Sequence, residues 1–230
     1  MNKCFHRRRN FGRETLGPVF AEFARRLELY LTAATHDSPA VALYCARGGF
    51  RLRAIHQRWL RRMGLTSAIR HENFMISRLV ATKVALLRAP ERAIDSLCRE
   101  FAAQSLRDLA IAFLPATSAA IIDEEIAAPH LAVASDAQSI SWLFFGDHSL
   151  ARALRTHAEE QEALLADHLD ALCPDTAARL LVDSGLYGRT QLLLDSAWPN
   201  AKWHGVYFAR SNHRQEPAPH FKRATGLILE

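Results

Sequence analysis

Residues 180–190 read LLVDSGLYGRT. Three apolar residues, Leu180, Leu181 and Val182, run into an acid, Asp183, and Gly185 and Gly188 then punctuate a turn. Gly188–Ala197 predicts the following helix, stopped before Pro199. A short apolar run bounded by turn residues marks a strand buried on both faces, as in a parallel sheet. A glycine turn from such a strand into a helix gathers backbone amides at the positive end of the helix dipole. That arrangement favours an anion.

The same grammar recurs earlier in the chain. Ala40–Ala46, AVALYCA, is an almost wholly apolar run that predicts a second buried strand. Arg47-Gly48-Gly49 supplies the turn, and Phe50–Met63 predicts a helix crowded with Arg51, Arg53, Arg58, Arg61 and Arg62. An amphipathic helix over 13–36 precedes it, with Leu16, Val19, Phe20, Phe23, Leu27, Tyr30 and Leu31 at helical spacing and Gly17-Pro18 in its first turn. Trp203–Ala209, WHGVYFA, predicts another strand, and Thr225–Leu229 a final edge strand after a polar loop over Asn212–His220. Within Ala68–Ser77 a further strand is expected around Phe74-Met75-Ile76. From Arg78 to about Asp136 the pattern is helical, punctuated by Pro90, Pro115 and Pro129, and a long helix over Ser149–Leu172 ends at Pro174.

These elements predict a single α/β domain over 1–230, a Rossmann-like parallel sheet with helices on both faces and a helical insertion at about 78–147.

The bulk properties narrow the function classes. The chain has 230 residues, 49% hydrophobic and 23% charged, and a net charge of +5, values ordinary for a globular protein. Most cations are arginine, whose planar fork suits phosphate and carboxylate. His6-Arg7-Arg8-Arg9 has no apolar segment behind it, which argues against a secretory signal. No stretch has the length and apolarity of a membrane span, and the expected location is cytoplasmic. Four scattered cysteines without a CxxC pair read as reduced thiols. Eleven histidines include His56, His71, His157, His168 and His204, but none is spaced HExxH or HxH, so no metal site is expected from spacing. Asp123-Glu124-Glu125 reads as a charged helix start. Ser184 lies outside any GxSxG elbow.

Two strand-to-helix glycine turns in one sheet are therefore the main functional signal. Each falls at the C-terminal end of a strand, where ligands of open α/β sheets sit. In such a site Arg47 and the amides of Gly48 and Gly49 would take one phosphate. The amides from Gly185 through Gly188 and Arg189 to Thr190, with the Thr190 hydroxyl and the Arg189 guanidinium, would take a second phosphate. Asp183 would hold ribose hydroxyls or a water of bound Mg2+.

ALYCARGGFRL (42–52) resembles the strand and pyrophosphate loop of type I phosphoribosyltransferases, and LLVDSGLYGRT is similar to their phosphoribosyl-pyrophosphate signature. Ser184 stands in place of the second acid of that signature, and the loop is shorter than the usual form. A closer resemblance is to the α/β region that uncharacterised bacterial, surface-glycan-associated proteins carry behind a haloacid-dehalogenase-like domain. Its motifs appear here in order: Gly17-Pro18 in a helix, Ala46-Arg47-Gly48-Gly49 for ARDG, Ser77-Arg78, Val182–Gln191 for VDxGxxGxxQ, and Gly205–Phe208 for GxYF. Gly48 replaces the acid of ARDG, and the DxDxT nucleophile pattern is absent.

The resemblance implies a phosphoribosyltransferase-like fold binding a phosphorylated ribose or nucleotide. Asp183 and Arg47 would be the catalytic residues, and Mg2+ would be carried by the substrate phosphates. The competing expectations are a ligand-sensing or interaction module that meets an acidic protein or nucleic acid, and a structural domain; nucleic acid is the less favoured partner.

Overall fold

The computed structural model describes residues 10–36, 38–102, 104–115, 136–174, 177–212, 215 and 217–230. Two compact units divide the chain: Met1–Met75 with Asp170–Leu192 and Asn200–Glu230, and Ile76–Leu169 with Leu193–Pro199. The expected punctuation at Pro129 and the acids at 123–125 lie outside the described residues, as do His6–Arg9 and Cys4.

The first unit holds the sheet. A π-helical turn, Gly12–Leu16, runs directly into α1, Gly17–Ala34, with Pro18 in its first turn. Strand β1, Ala40–Cys45, is buried at every position. Helix α2, Gly48–Met63, ends at Gly64, whose left-handed φ of 66° closes its last turn. Strand β2 occupies Arg70–Phe74, ahead of the expected position. Met75, placed in the strand by hydrophobicity, is 63% exposed. β2 is an edge strand paired only with β1, and of its RHENF residues Phe74 alone is buried. An edge strand needs no continuous apolar run, so the apolar signal pointed past it.

β3, Ala178–Asp183, is buried except at its last residue. It pairs with β1 on one side and with β4, Trp203–Ala209, on the other. A short 3-10 helix over Pro219–Arg223 enters the segment expected as loop, and β5, Ala224–Leu229, closes the far edge as expected. All four pairings are parallel and the order is β2-β1-β3-β4-β5. The fold is thus α/β with a Rossmann-like parallel sheet.

One face of the sheet presents Ala40, Ala42 and Tyr44 of β1, Leu180 and Val182 of β3, and Val206 of β4. Phe23, Leu27 and Leu31 of α1 and Leu52 of α2 pack there. The Phe23 and Leu27 side chains are fully excluded from water. Small residues at 40 and 42 let the helices lie close to the strand.

The second unit is helical. It contains α3, Arg78–Arg88, with Ser77 as N-cap, α4, Pro90–Glu100, and α5, Leu106–Phe113, opened by a Ser105/Asp108 capping box. Asp136 caps α6, Ala137–Phe145, and α7 runs over Ser149–Leu172, most of it in this unit. Its core includes Val84, Leu97, Leu109, Phe113, Ile140, Phe144 and Leu154, with the Phe113 and Phe144 rings edge to face at 4.9 Å.

Candidate functional site

In sheet order 2-1-3-4-5 the chain leaves β1 towards β2 and returns on the other side of β1 to form β3. The connections after β1 and β3 thus diverge, which makes the C-terminal ends of these two strands the topological switch point, the position where doubly wound sheets open a crevice for ligands. Both glycine turns lie there. Arg47 follows β1 and is exposed, and no described residue hydrogen-bonds its guanidinium. Helix α2 starts at Gly48, two positions earlier than expected. Gly48 and Gly49 therefore occupy its first turn, where amides lack intrahelical partners.

The two loops touch. A Cβ on Gly48 would lie 2.7 Å from Asp183 Oδ1 and 3.0 Å from Ser184 Oγ. On Gly49 it would lie 2.4 Å from the Val182 carbonyl oxygen. Gly49 therefore seats the helix start against β3, while Gly48 leaves room beside a carboxylate. Asp183 is half-buried, and its Oδ1 accepts the Ser184 amide at 2.7 Å. Cys45, the last residue of β1, is fully buried; burial and the Asp183 charge push its thiol well above the ordinary range, which makes it a poor nucleophile.

The second loop is held from behind. Gly185 has φ +94°, and a Cβ there would fall 1.9 Å from the Ala209 carbonyl oxygen. The Ala209 amide donates to Ser184 O at 3.3 Å and the Ser211 amide to Leu186 O at 3.1 Å, lacing this loop to the end of β4. The Ala46–Arg47 and Gly185–Leu186 peptide bonds are cis. Gly188, φ +74°, faces the Tyr207 hydroxyl, which a Cβ would meet at 2.5 Å. Helix α8, Arg189–Ala197, begins just after it, with Thr190 half-buried in the first turn and Arg189 over the Tyr187 ring at 5.1 Å.

Tyr207 Oη donates to Gln191 Oε1 at 2.9 Å, and Gln191 Nε2 donates to the Arg223 carbonyl at 3.0 Å. Gln191 is fully buried, and a Cβ on Gly205 would collide with its Oε1 at 2.3 Å. The VDxGxxGxxQ and GxYF motifs are therefore one interlocking unit. Tyr207→Phe should leave Gln191 Oε1 short of a donor and cost about 1–2 kcal/mol of stability, measurable as a shift in urea midpoint.

A second polar cluster lies under β1 on the helix side, and sequence spacing gave no sign of it. His56 falls on the buried stripe of α2 between Leu52 and Leu60 and is fully excluded from water. Its Nε2 approaches Glu28 Oε2 of α1 to 3.0 Å. Tyr44 Oη of β1 meets His56 Nδ1 at 3.1 Å and His71 Nδ1 of β2 at 2.9 Å. Burial, and secondarily the His71 ring, lowers His56 to about 4. Burial and then Arg53 lower His71. Arg53 is drawn into this structure, donating to Asn73 Oδ1 at 2.7 Å and to the His71 carbonyl, whereas Arg51, Arg58, Arg61 and Arg62 are exposed. These groups lie on different elements, so no motif search finds them. The visible clue was a histidine at a core position of an amphipathic helix.

Taken together, fold and crevice define a parallel α/β protein with two glycine-bearing turns in contact at its topological switch point. No known family profile matches the chain, and no curated protein is significantly similar to it in sequence. Among the described residues, no helix is long and apolar enough to cross a membrane.

Proposed function

We propose that the crevice beyond β1 and β3 binds a phosphorylated ribose or nucleotide and that the protein is a phosphoribosyltransferase-like ligand binder. The observation that carries this reading is the meeting of the two turns, with Gly48 against Asp183. It supports the reading because an exposed arginine, the amides of a helix N-terminus and a carboxylate all belong to these two turns. Arg47, with the Gly48 and Gly49 amides, receives a pyrophosphate or distal phosphate. The loop from Gly185 through Gly188, with Arg189 and Thr190, receives the 5′-phosphate.

Asp183 cannot lie against a phosphate without a partner between them, because two like charges in contact repel strongly in a partly dry site. A ribose hydroxyl pair or a cation satisfies that requirement. One carboxylate matches the way Mg2+ is usually held, through one or two protein carboxylates and the substrate phosphates. When bound, Mg2+ would neutralise charge developing on a departing pyrophosphate. The chain's own part is to position the phosphates and the sugar. Transfer of the phosphoribosyl group needs no protein nucleophile, consistent with a buried Cys45 thiol.

A second reading, a binding module without turnover, is favoured by a specific observation. Ser184 stands where a second acid would hold the ribose, and Asp183 Oδ1 is already engaged by the Ser184 amide.

Thermal unfolding with phosphoribosyl pyrophosphate, ribose 5-phosphate or nucleotides, each with and without Mg2+, tests the proposal. At one hundred times its dissociation constant a ligand should stabilise the protein by about 2.7 kcal/mol. Arg47→Ala and Asp183→Asn should reduce that gain. No shift with any phosphate ligand refutes the site, while binding without phosphoribosyl transfer supports the second reading.

A further inference from the structure

We infer that Glu28, His56 and His71 form a binding site for a divalent transition-metal ion, zinc in particular, beneath the first strand of the sheet. One ligand atom from each residue lies within 4.8 Å of the other two. The three come from α1, α2 and β2, so the fold itself assembles them.

Hydrogen-bond accounting shows that the site is unfinished. Tyr44 Oη contacts Nδ1 of both rings, but it has a single proton. It can donate to one Nδ1 and must accept from the other. The ring that donates therefore carries a bare lone pair on Nε2, and the ring that accepts carries its proton there. Neither Nε2 has a hydrogen-bond partner, and both are buried. The His56 Nε2 approach to Glu28 Oε2 is short at 3.0 Å but lacks the alignment of a hydrogen bond. Buried polar atoms are rarely left so. Here two buried ring nitrogens lack partners in a cluster whose carboxylate is 14% exposed.

A cation resolves this pattern. With an ion on the two Nε2 atoms, both rings hold their proton on Nδ1, and Tyr44 Oη accepts from both. Ser67 Oγ already donates to Glu28 Oε2 at 3.0 Å, steadying the carboxylate. Such outer partners are typical of metal-bound histidine and carboxylate. Two imidazoles and one carboxylate suit Zn2+ and its transition-metal neighbours, whereas Mg2+ prefers an all-oxygen shell. Tetrahedral zinc at about 2.0–2.1 Å spaces its ligands by roughly 3.3 Å. The His56–Glu28 pair is near that spacing, and with the three ligand atoms within 4.8 Å of one another the triangle contracts to hold the ion. Water would complete the fourth position. This inference does not depend on the crevice ligand.

The full-length protein, stripped with chelator, should bind one Zn2+ by calorimetry and gain thermal stability, with no comparable response to Mg2+. Co2+ substituted in the same protein should give the intense visible absorption of a tetrahedral site, a readout requiring no variant. Glu28→Gln should weaken Zn2+ by tenfold or more, and Tyr44→Phe, which removes the shared buttress, by about 10–100-fold. His71→Gln, on the edge strand, tests a histidine ligand where the change is least disruptive to the core. Failure of the stripped protein to bind Zn2+ overturns the inference. So does binding that Glu28→Gln and His71→Gln leave unchanged in proteins of native circular dichroism, since the ion would then sit elsewhere.

Discussion

Gly185→Ala should destabilise the protein by about 2–5 kcal/mol, combining a left-handed backbone penalty of about 1–2 kcal/mol with about 1–3 kcal/mol of overpacking. The second contribution arises because the added methyl would stand 1.9 Å from the Ala209 carbonyl oxygen, a backbone atom that cannot rotate aside. Relief requires the loop after β3 to part from the end of β4. That separation would break the Ala209–Ser184 and Ser211–Leu186 hydrogen bonds. Gly64→Ala isolates the backbone contribution. Gly64 has φ +66° with nothing within 4 Å of its would-be Cβ, so only the conformational penalty of about 1–2 kcal/mol applies. Urea unfolding of the three proteins reads the difference directly. If Gly185→Ala unfolds at the midpoint of Gly64→Ala, the loop does not rest on Ala209.

The contrast between these glycines shows what the chain disclosed and what it withheld. Strands β1 and β3 were legible because each is buried along nearly its whole length and writes a short apolar run, and β4 was legible from its aromatic and β-branched residues. β2 was misplaced by a few residues because an edge strand carries RHENF and leaves Met75 in water. The two glycine turns were legible as turns. Their separate reasons were not, since Gly185 answers to Ala209, Gly188 to Tyr207, and Gly49 to Val182. These are contacts between strands that a parallel order alone brings together. The crevice was likewise readable only in halves. ARGG and DSGLYGRT each suggest an anion, but their meeting depends on β1 and β3 being neighbours. The Glu28–His56–Tyr44–His71 cluster needed four elements and had no spacing to betray it. Its one trace was His56 at a position of α2 where Leu52 and Leu60 set an apolar expectation.

Gly48→Val should abolish stabilisation by any phosphate ligand, removing about 2.7 kcal/mol at one hundred times the wild-type dissociation constant, while the free protein unfolds close to its usual midpoint. The reasoning rests on which atom the new side chain meets. At Gly49 a Cβ would strike the Val182 carbonyl, so substitution there threatens the packing of α2 on the sheet. At Gly48 the nearest atoms are Asp183 Oδ1 and Ser184 Oγ, side-chain atoms rather than backbone. They can turn aside at the cost of the hydrogen bond from the Ser184 amide to Asp183 Oδ1, and Gly48 is in the first helical turn without a positive φ. Valine then occupies the space beside the displaced carboxylate and screens the first amides of α2. Arg47 remains, so long-range attraction of an anion persists, but the converging donors do not. Gly48→Ala, with its smaller side chain, should fall between. A Gly48→Val protein that folds and still shows the full ligand-induced shift would mean that the phosphate sits somewhere other than between the two turns.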